Sequence, residues 1–255
     1  MKHTRYLGIS MLVFLLLMAM SEPLLAQAKD KGPQLRILTN DFKPYYGEDL
    51  PKHGPFLELV ETAFRRMGFE PIVEFLPWAR VVAEGEAGKC HVVAGVWHNT
   101  GREAWMAVSD PILDNEIGLY KRASDSLLFS GYESLKSENI LVGGVKDYIY
   151  PKGFMDAGIT IEEVSEDILN IKKLANGRIR LALIDRLTGA YLANTLGLGS
   201  EIQWLATLDR IPLRIGIMKK PGFEWKTNLV EFNATVAKMR VDGTFKRILE
   251  HHGYY

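Results

Sequence analysis

Cysteine is almost missing from this chain. The single thiol, Cys90, excludes an internal disulfide framework and any zinc site built from several thiolates. A surplus of charge is missing too. The 31 basic side chains face 31 acidic ones, which argues against a general nucleic-acid binder, because such a protein needs a basic excess to displace counterions from phosphates. Catalytic signatures are equally scarce: there is no Gly-x-Ser-x-Gly elbow, no His-Glu-x-x-His and no glycine-rich loop ending in Gly-Lys-Ser/Thr. The stretch Gly85 to Lys89 has neither the spacing nor the hydroxyl for the last of these. What is present is apolar material, 47% of 255 residues, ample to offset the chain entropy of folding and enough for one large domain or two small ones.

Long hydrophobic runs are confined to the beginning. Lys2 and Arg5 precede an apolar run of 14 residues, Leu7 to Met20, and Ala26-Gln27-Ala28 then offers small residues where a signal peptidase reads. Fourteen residues of helix span about 21 Å, short of the ~30 Å hydrocarbon core. Residues 1–28 are therefore expected to be a signal peptide, and a mature chain starting near Lys29 is expected in the periplasm. An oxidising compartment also suits the scarcity of cysteine. Cys90 lies among apolar neighbours and reads as a buried, inert thiol.

After the leader, strand and helix patterns alternate. Leu35 to Thr39 is a strand, and Gly54-Pro55 opens a helix whose stripe Phe56, Leu59, Val60, Ala63, Phe64 and Met67 ends at Gly68. Ile72 to Phe75, a helix from Ala79 to Ala87 and His91 to Val96 complete a parallel βαβ series. Such a series leaves loops at the strands' carboxyl ends, here Asn40 to Tyr46, Pro77-Trp78 and Trp97 to Arg102, where a ligand cleft is expected. The segment Ala87 to Gly95 resembles Asn176 to Ile184: a helix ending at glycine, a basic residue, then an apolar strand. That second copy sits in another series made of Ile140 to Gly144, Thr160 to Val164, a helix from Asp167 to Ala175, and the strand to Ile184. Two similar α/β lobes are the plan this implies. The tail adds a strand, Arg214 to Met218, a helix from Trp225 to Arg240 with Leu229, Phe232, Val236 and Met239 inward, and a last helix from Thr244 to His251. The charged runs along 133–138 and 162–173 read as solvated faces.

Taken in order, these landmarks resemble the extracellular solute-binding proteins of family 3, the type II periplasmic binding proteins of polar amino-acid ABC transporters. The residues that carry the resemblance are Leu35-Arg36-Ile37-Leu38-Thr39 with its aromatic-proline loop, Gly88-Lys89, Arg102 seven residues before Ser109-Asp110-Pro111, Asp185, and Asp242-Gly243-Thr244-Phe245. The resemblance implies an α/β fold of two Rossmann-like lobes joined by a two-strand hinge. Lobe 1 would combine 33–119 with 215–255 and lobe 2 would hold 120–214, with crossings near Gly118-Leu119-Tyr120 and Arg214-Ile215-Gly216.

The same resemblance implies a ligand site. Arg102 matches the arginine that holds the ligand carboxylate, a task that suits a planar guanidinium fork. Asp185 matches the acid that meets the ligand ammonium from the second lobe, although an aspartate before Arg186 to Leu196 is also an ordinary helix N-cap. Phe42 and Trp78 match aromatic positions that sandwich the ligand side chain. Tyr45, after Pro44, reads as structural. Two departures stand out. Trp97, followed by His98, replaces a small hydroxyl residue, and Lys146-Asp147-Tyr148-Ile149-Tyr150 replaces a Gly-Ser/Thr turn at a helix start. Trp97 and Tyr148 are large enough to reshape the pocket, and Asp147 would repel an anion there. Arg80 is either a second cationic contact or a solvated helix residue. His98 is the one candidate acid or base, and His251-His252 reads as a solvated helix end.

The expected function is capture of a small polar solute, an amino acid or related carboxylate, for an inner-membrane ABC permease. No catalysis, cofactor, metal or nucleic-acid partner is expected, and a monomer is the default. A ligand-sensing protein feeding a receptor or kinase is the alternative, and a dehydratase-type enzyme on the same fold is the more distant one.

Overall fold

The computed structural model describes residues 32–98 and 100–253. The signal-peptide segment 1–28 lies outside the described residues. Two five-stranded sheets form the frame. In the first, β1 (Gln34–Thr39) pairs in parallel with β2 (Glu70–Phe75) and β3 (Val92–Val96), and β10 (Arg214–Met218) runs antiparallel between β3 and β4 (Met106–Val108). In the second, β6 (Val142–Val145) pairs in parallel with β7 (Ile161–Val164) and β8 (Leu181–Asp185), and β5 (Glu116–Arg122) runs antiparallel between β8 and β9 (Ile202–Arg210).

The strand orders β2-β1-β3-β10-β4 and β7-β6-β8-β5-β9 correspond position by position. The nine-residue internal similarity therefore has a structural counterpart, since β3 and β8 are the central strands. Each follows a glycine that ends a helix in the left-handed region, Gly88 at φ 67° and Gly177 at φ 69°. The L residues at those points would be strained, which is why glycine recurs there.

Helices pack on the sheets as their apolar spacing requires. Helix α1 (Pro55–Arg66) starts with proline in its first turn and buries Phe56, Leu59, Val60, Ala63 and Phe64. Helix α2 (Trp78–Glu86) buries Trp78 and Val81. The second sheet carries α3 (Tyr132–Ser137), α4 (Lys152–Asp156), α5 (Asp167–Ala175) and α6 (Arg186–Thr195) among its connections. The carboxyl-terminal helices α7 (Trp225–Val241) and α8 (Thr244–His251) return to the first lobe. There the Phe64 and Phe232 rings lie 4.9 Å apart and Arg66 bonds Asp242 Oδ2 at 2.6 Å. Phe232, Val236 and Met239 are buried as their spacing indicates, and Cys90 is fully buried. Burial pushes the Cys90 thiol up to about 11.

The strands β4 and β9 and the short helices α3 and α4 do not stand out in the sequence pattern. Residues 116–119, which the resemblance assigns to lobe 1, pair with β8 and β9 of the second sheet. The connections between sheets are the segments 109–115 and 211–213, which hydrogen-bond side by side: Leu213 N to Leu113 O at 2.7 Å, Ile112 N to Leu213 O at 3.0 Å and Ile211 N to Asn115 O at 3.1 Å.

Candidate functional site

The loops at the carboxyl ends of the two parallel sets face each other. Five of the six expected residues, Phe42, Trp78, Trp97, Arg102 and Tyr148, line one cavity together with Asn40, Tyr46, Gly95 and Ile149. Phe42 is held by stacking on Tyr45 at 5.6 Å and by a two-way backbone pairing with Tyr46. Gly95, at φ 78°, gives the Tyr46 ring its place, since a Cβ there would fall 1.9 Å from the phenol oxygen. The cavity is small: at about 20 Å³ it has room for about one water molecule.

What narrows it is the segment after β6. Asp147, a non-glycine residue at φ 64°, turns its carbonyl across to the first lobe. That oxygen accepts a 2.7 Å hydrogen bond from Arg102 Nη2 and a 3.1 Å hydrogen bond from Trp78 Nε1. The Arg102 guanidinium also lies over the Trp78 ring at 5.4 Å. Burial lowers the Arg102 pKa, and the nearby Asp147 charge acts in the opposite direction. The next residue, Tyr148, fills the floor. Its ring meets Trp97 edge-on at 5.6 Å and Trp78 at 6.2 Å. Its hydroxyl accepts from Asn40 Nδ2 at 3.4 Å and donates to Asp167 Oδ2 at 3.0 Å. The indole N–H of Trp97 is buried with no hydrogen-bond partner.

Asp185, the sixth expected residue, is not part of this cavity wall. It ends β8 and caps α6, with Oδ1 accepting from the Thr188 amide at 2.9 Å and Oδ2 accepting from the Tyr45 hydroxyl at 3.2 Å. The N-cap role is thus the one its geometry displays, and both oxygens have partners. Burial raises its pKa to about 6, opposed by the Thr188 and Tyr45 hydrogen bonds. Tyr45 is buried as a structural residue would be, yet its hydroxyl also ties the first lobe to the second.

Asp167 was not legible as a site residue and is the exception in the run 162–173, where Glu162, Glu163, Glu166 and Lys172 are exposed as the solvated reading expects. At the first turn of α5 it is 7% exposed, held inward by Tyr148, and its Oδ1 has no partner. Burial raises its pKa to about 7; the Tyr148 hydroxyl works against this, while the charges of Asp185 and Glu166 add to it. The available signal was positional: Ser165-Glu166-Asp167 follows a parallel strand at its carboxyl end, where ligands gather in such sheets. Asp167 faces a second, larger cavity of about 320 Å³ that shares Asn40, Trp78 and Tyr148 with the first.

Other candidates lie elsewhere. His98 bonds Glu103 at 2.7 Å on an exposed loop and lines none of these cavities. Arg80 pairs with Glu84 one helical turn on, as a solvated helix residue does. His252 bonds Glu58 at 2.8 Å, and among the described residues no cluster of His, Cys, Asp or Glu is able to hold a metal.

Set beside known proteins, the chain finds no match among curated sequences. Solved structures share its fold at low identity. EhuB in complex with hydroxyectoine aligns with a TM-score of 0.74 and 19% identity, covering 86% of this chain and 88% of that one. An ancestral arginine-binding protein bound to arginine gives 0.72 and 18%, covering 87% and 98%. A histidine kinase sensor domain similar to periplasmic binding proteins gives 0.72 and 16%, covering 88% and 97%. The family model for bacterial extracellular solute-binding proteins, family 3, matches residues 37–254. With that match across nearly all of both lobes, the chain belongs to the bacterial extracellular solute-binding proteins of family 3.

Proposed function

We propose that this protein captures a small polar solute, an amino acid or related carboxylate, between its lobes in the periplasm and delivers it to an inner-membrane ABC permease. The observation that carries this reading is the state of Arg102. Its guanidinium is half-buried in an interlobe cavity, and among the described residues it makes no ion pair. A desolvated guanidinium whose hydrogen-bond partner is one backbone carbonyl gains when a carboxylate replaces that carbonyl. The unpartnered Trp97 N–H offers a further donor on the same wall. In this reading a carboxylate displaces the Asp147 carbonyl from Arg102, and the lobes, 33–110 with 214–253 against 116–210, rotate about the paired segments between them. Ligand contacts made from both lobes favour the closed state, so binding energy becomes a shift in population.

The test is a thermal-shift screen of amino acids, carboxylates and amines. A ligand at 100 times its Kd stabilises a single-site protein by about 2.7 kcal/mol. Arg102→Ala should keep the fold and lose the response to carboxylated hits; equal binding by the variant refutes the anchor. A sensing role is supported by the likeness to a kinase sensor domain, because a receptor and a permease recognise the same closed shape. Adjacent permease and ATPase genes would favour transport. Turnover of a ring carboxylic acid by the purified protein would overturn the non-enzymatic reading.

A further inference from the structure

We infer that the larger interlobe cavity is a subsite for a cationic amino group of the ligand, with Asp167 rather than Asp185 as its anchor. This rests on the solute-binding reading and assigns the second pole of the solute.

The cavity lies between the two lobes. Asn40, Asp41 and Trp78 come from the first, and Tyr148, Asp167 and Thr188 from the second. Its volume of about 320 Å³ suits a small ligand, unlike the space of about 20 Å³ beside Arg102. Carboxylates dominate the lining: Asp41, Glu48, Glu166 and Asp167 against a single ammonium, that of Lys43. Lys43 is already matched, by Asp41 at 3.7 Å and by Asp49. Among the described residues, Glu48, Glu166 and Asp167 have no ion pair. Glu48 and Glu166 are exposed at the rim, where they attract a cation without holding it.

Asp167 is the member built to hold one. It is buried, its Oδ2 is oriented by the Tyr148 hydroxyl, and its Oδ1 is unpartnered. A buried carboxylate oxygen with no donor is costly, and an ammonium supplies both the missing hydrogen bond and the missing charge. Asp185 is less available, because the Thr188 amide and the Tyr45 hydroxyl already donate to its two oxygens and it does not line this cavity. The two cavities share Asn40, Trp78 and Tyr148, so one solute can reach Arg102 with an anionic end and Asp167 with a cationic end.

The experiment compares β-alanine, γ-aminobutyrate, L-lysine, L-arginine and putrescine with butyrate, pentanoate and succinate, by calorimetry on wild type, Asp167→Asn and Asp185→Asn. The expected result is that at least one ammonium-bearing probe binds wild type more tightly than the amine-free acids. Asp167→Asn should then weaken that probe at least tenfold, about 1.4 kcal/mol, and more than Asp185→Asn does. The inference is overturned if Asp167→Asn binds as wild type does, if Asp185→Asn has the larger effect, or if no ammonium-bearing probe binds. In the last case, binding of an amine-free acid that depends on Arg102 leaves the solute-binding reading standing alone. If the wider screen also yields no ligand, that reading fails as well.

Discussion

Replacing Asp167 with asparagine should make the ligand-free protein more stable at pH 8 and alter it little near pH 4. The carboxyl is buried, and its pKa stands at about 7 against an ordinary 3.8. Because the folded value is the raised one, its protonated form contributes stability fully below the unfolded pKa. That stability is lost as pH rises through the folded value, between roughly pH 4 and 7. A rise of about three pH units, at 1.36 kcal/mol each, corresponds to about 4 kcal/mol. The amino terminus of α5 favours a negative charge by only about 0.3–1 kcal/mol, too little to cancel the cost of burial. Asparagine keeps an acceptor for the Tyr148 hydroxyl and carries no charge. In urea unfolding followed by tryptophan fluorescence, the variant should therefore gain about 2–4 kcal/mol over wild type at pH 8. The gain should shrink as the pH falls to 4. At roughly 2–4 °C per kcal/mol the melting temperature at pH 8 rises by about 10 °C. A gain in stability bought with lost binding is the pattern expected of a functional carboxylate. A pH-independent difference, or a variant less stable at pH 8, would refute the assignment of Asp167 as a buried ionising group.

Three other outcomes follow from the packing. Cys90 should resist thiol reagents in the folded protein at pH 8 and react at once in urea, since it is fully buried with a pKa raised to about 11; rapid labelling of the native form would contradict its place in the core. Tyr148→Phe removes the hydroxyl between Asn40 and Asp167 and should cost about 1–3 kcal/mol, with a larger radius of gyration in X-ray scattering of the ligand-free form. An unchanged radius and stability would mean that this bridge does not hold the lobes together. Gly95→Ala should destabilise or misfold the first lobe, because its Cβ would meet the Tyr46 phenol at 1.9 Å on a backbone at φ 78°; circular dichroism with thermal melting reads the loss.

Much of the frame was legible because its signals are local. The periodic stripe of α1, the glycines at 88 and 177, and the tail helices from Trp225 and Thr244 are dictated by apolar spacing and by backbone conformation within a few residues. β4 and β9 were missed for the opposite reason. Both flank antiparallel partners from distant parts of the chain, β10 and β5, and gain their strand identity from that pairing. β5 likewise takes its place from its neighbours β8 and β9, which no local signal in the sequence shows.

The site divides along the same line. A loop rich in aromatic residues, an arginine before Ser109-Asp110-Pro111 and bulky residues at 97 and 148 are visible as residue types in order, and by themselves they determined the family and five residues of one cavity wall. Which carboxylate faces the cleft was not determined by type or spacing. Asp185 and Asp167 each end a strand-to-helix connection and look alike in one dimension. Only the tertiary structure distinguishes their surroundings, by bringing Tyr45 and the Thr188 amide onto Asp185 while leaving one oxygen of Asp167 unmet beneath Tyr148. The physical reason is that a carboxylate's role depends on the donors and solvent around it, and those arrive from both lobes, more than a hundred residues apart.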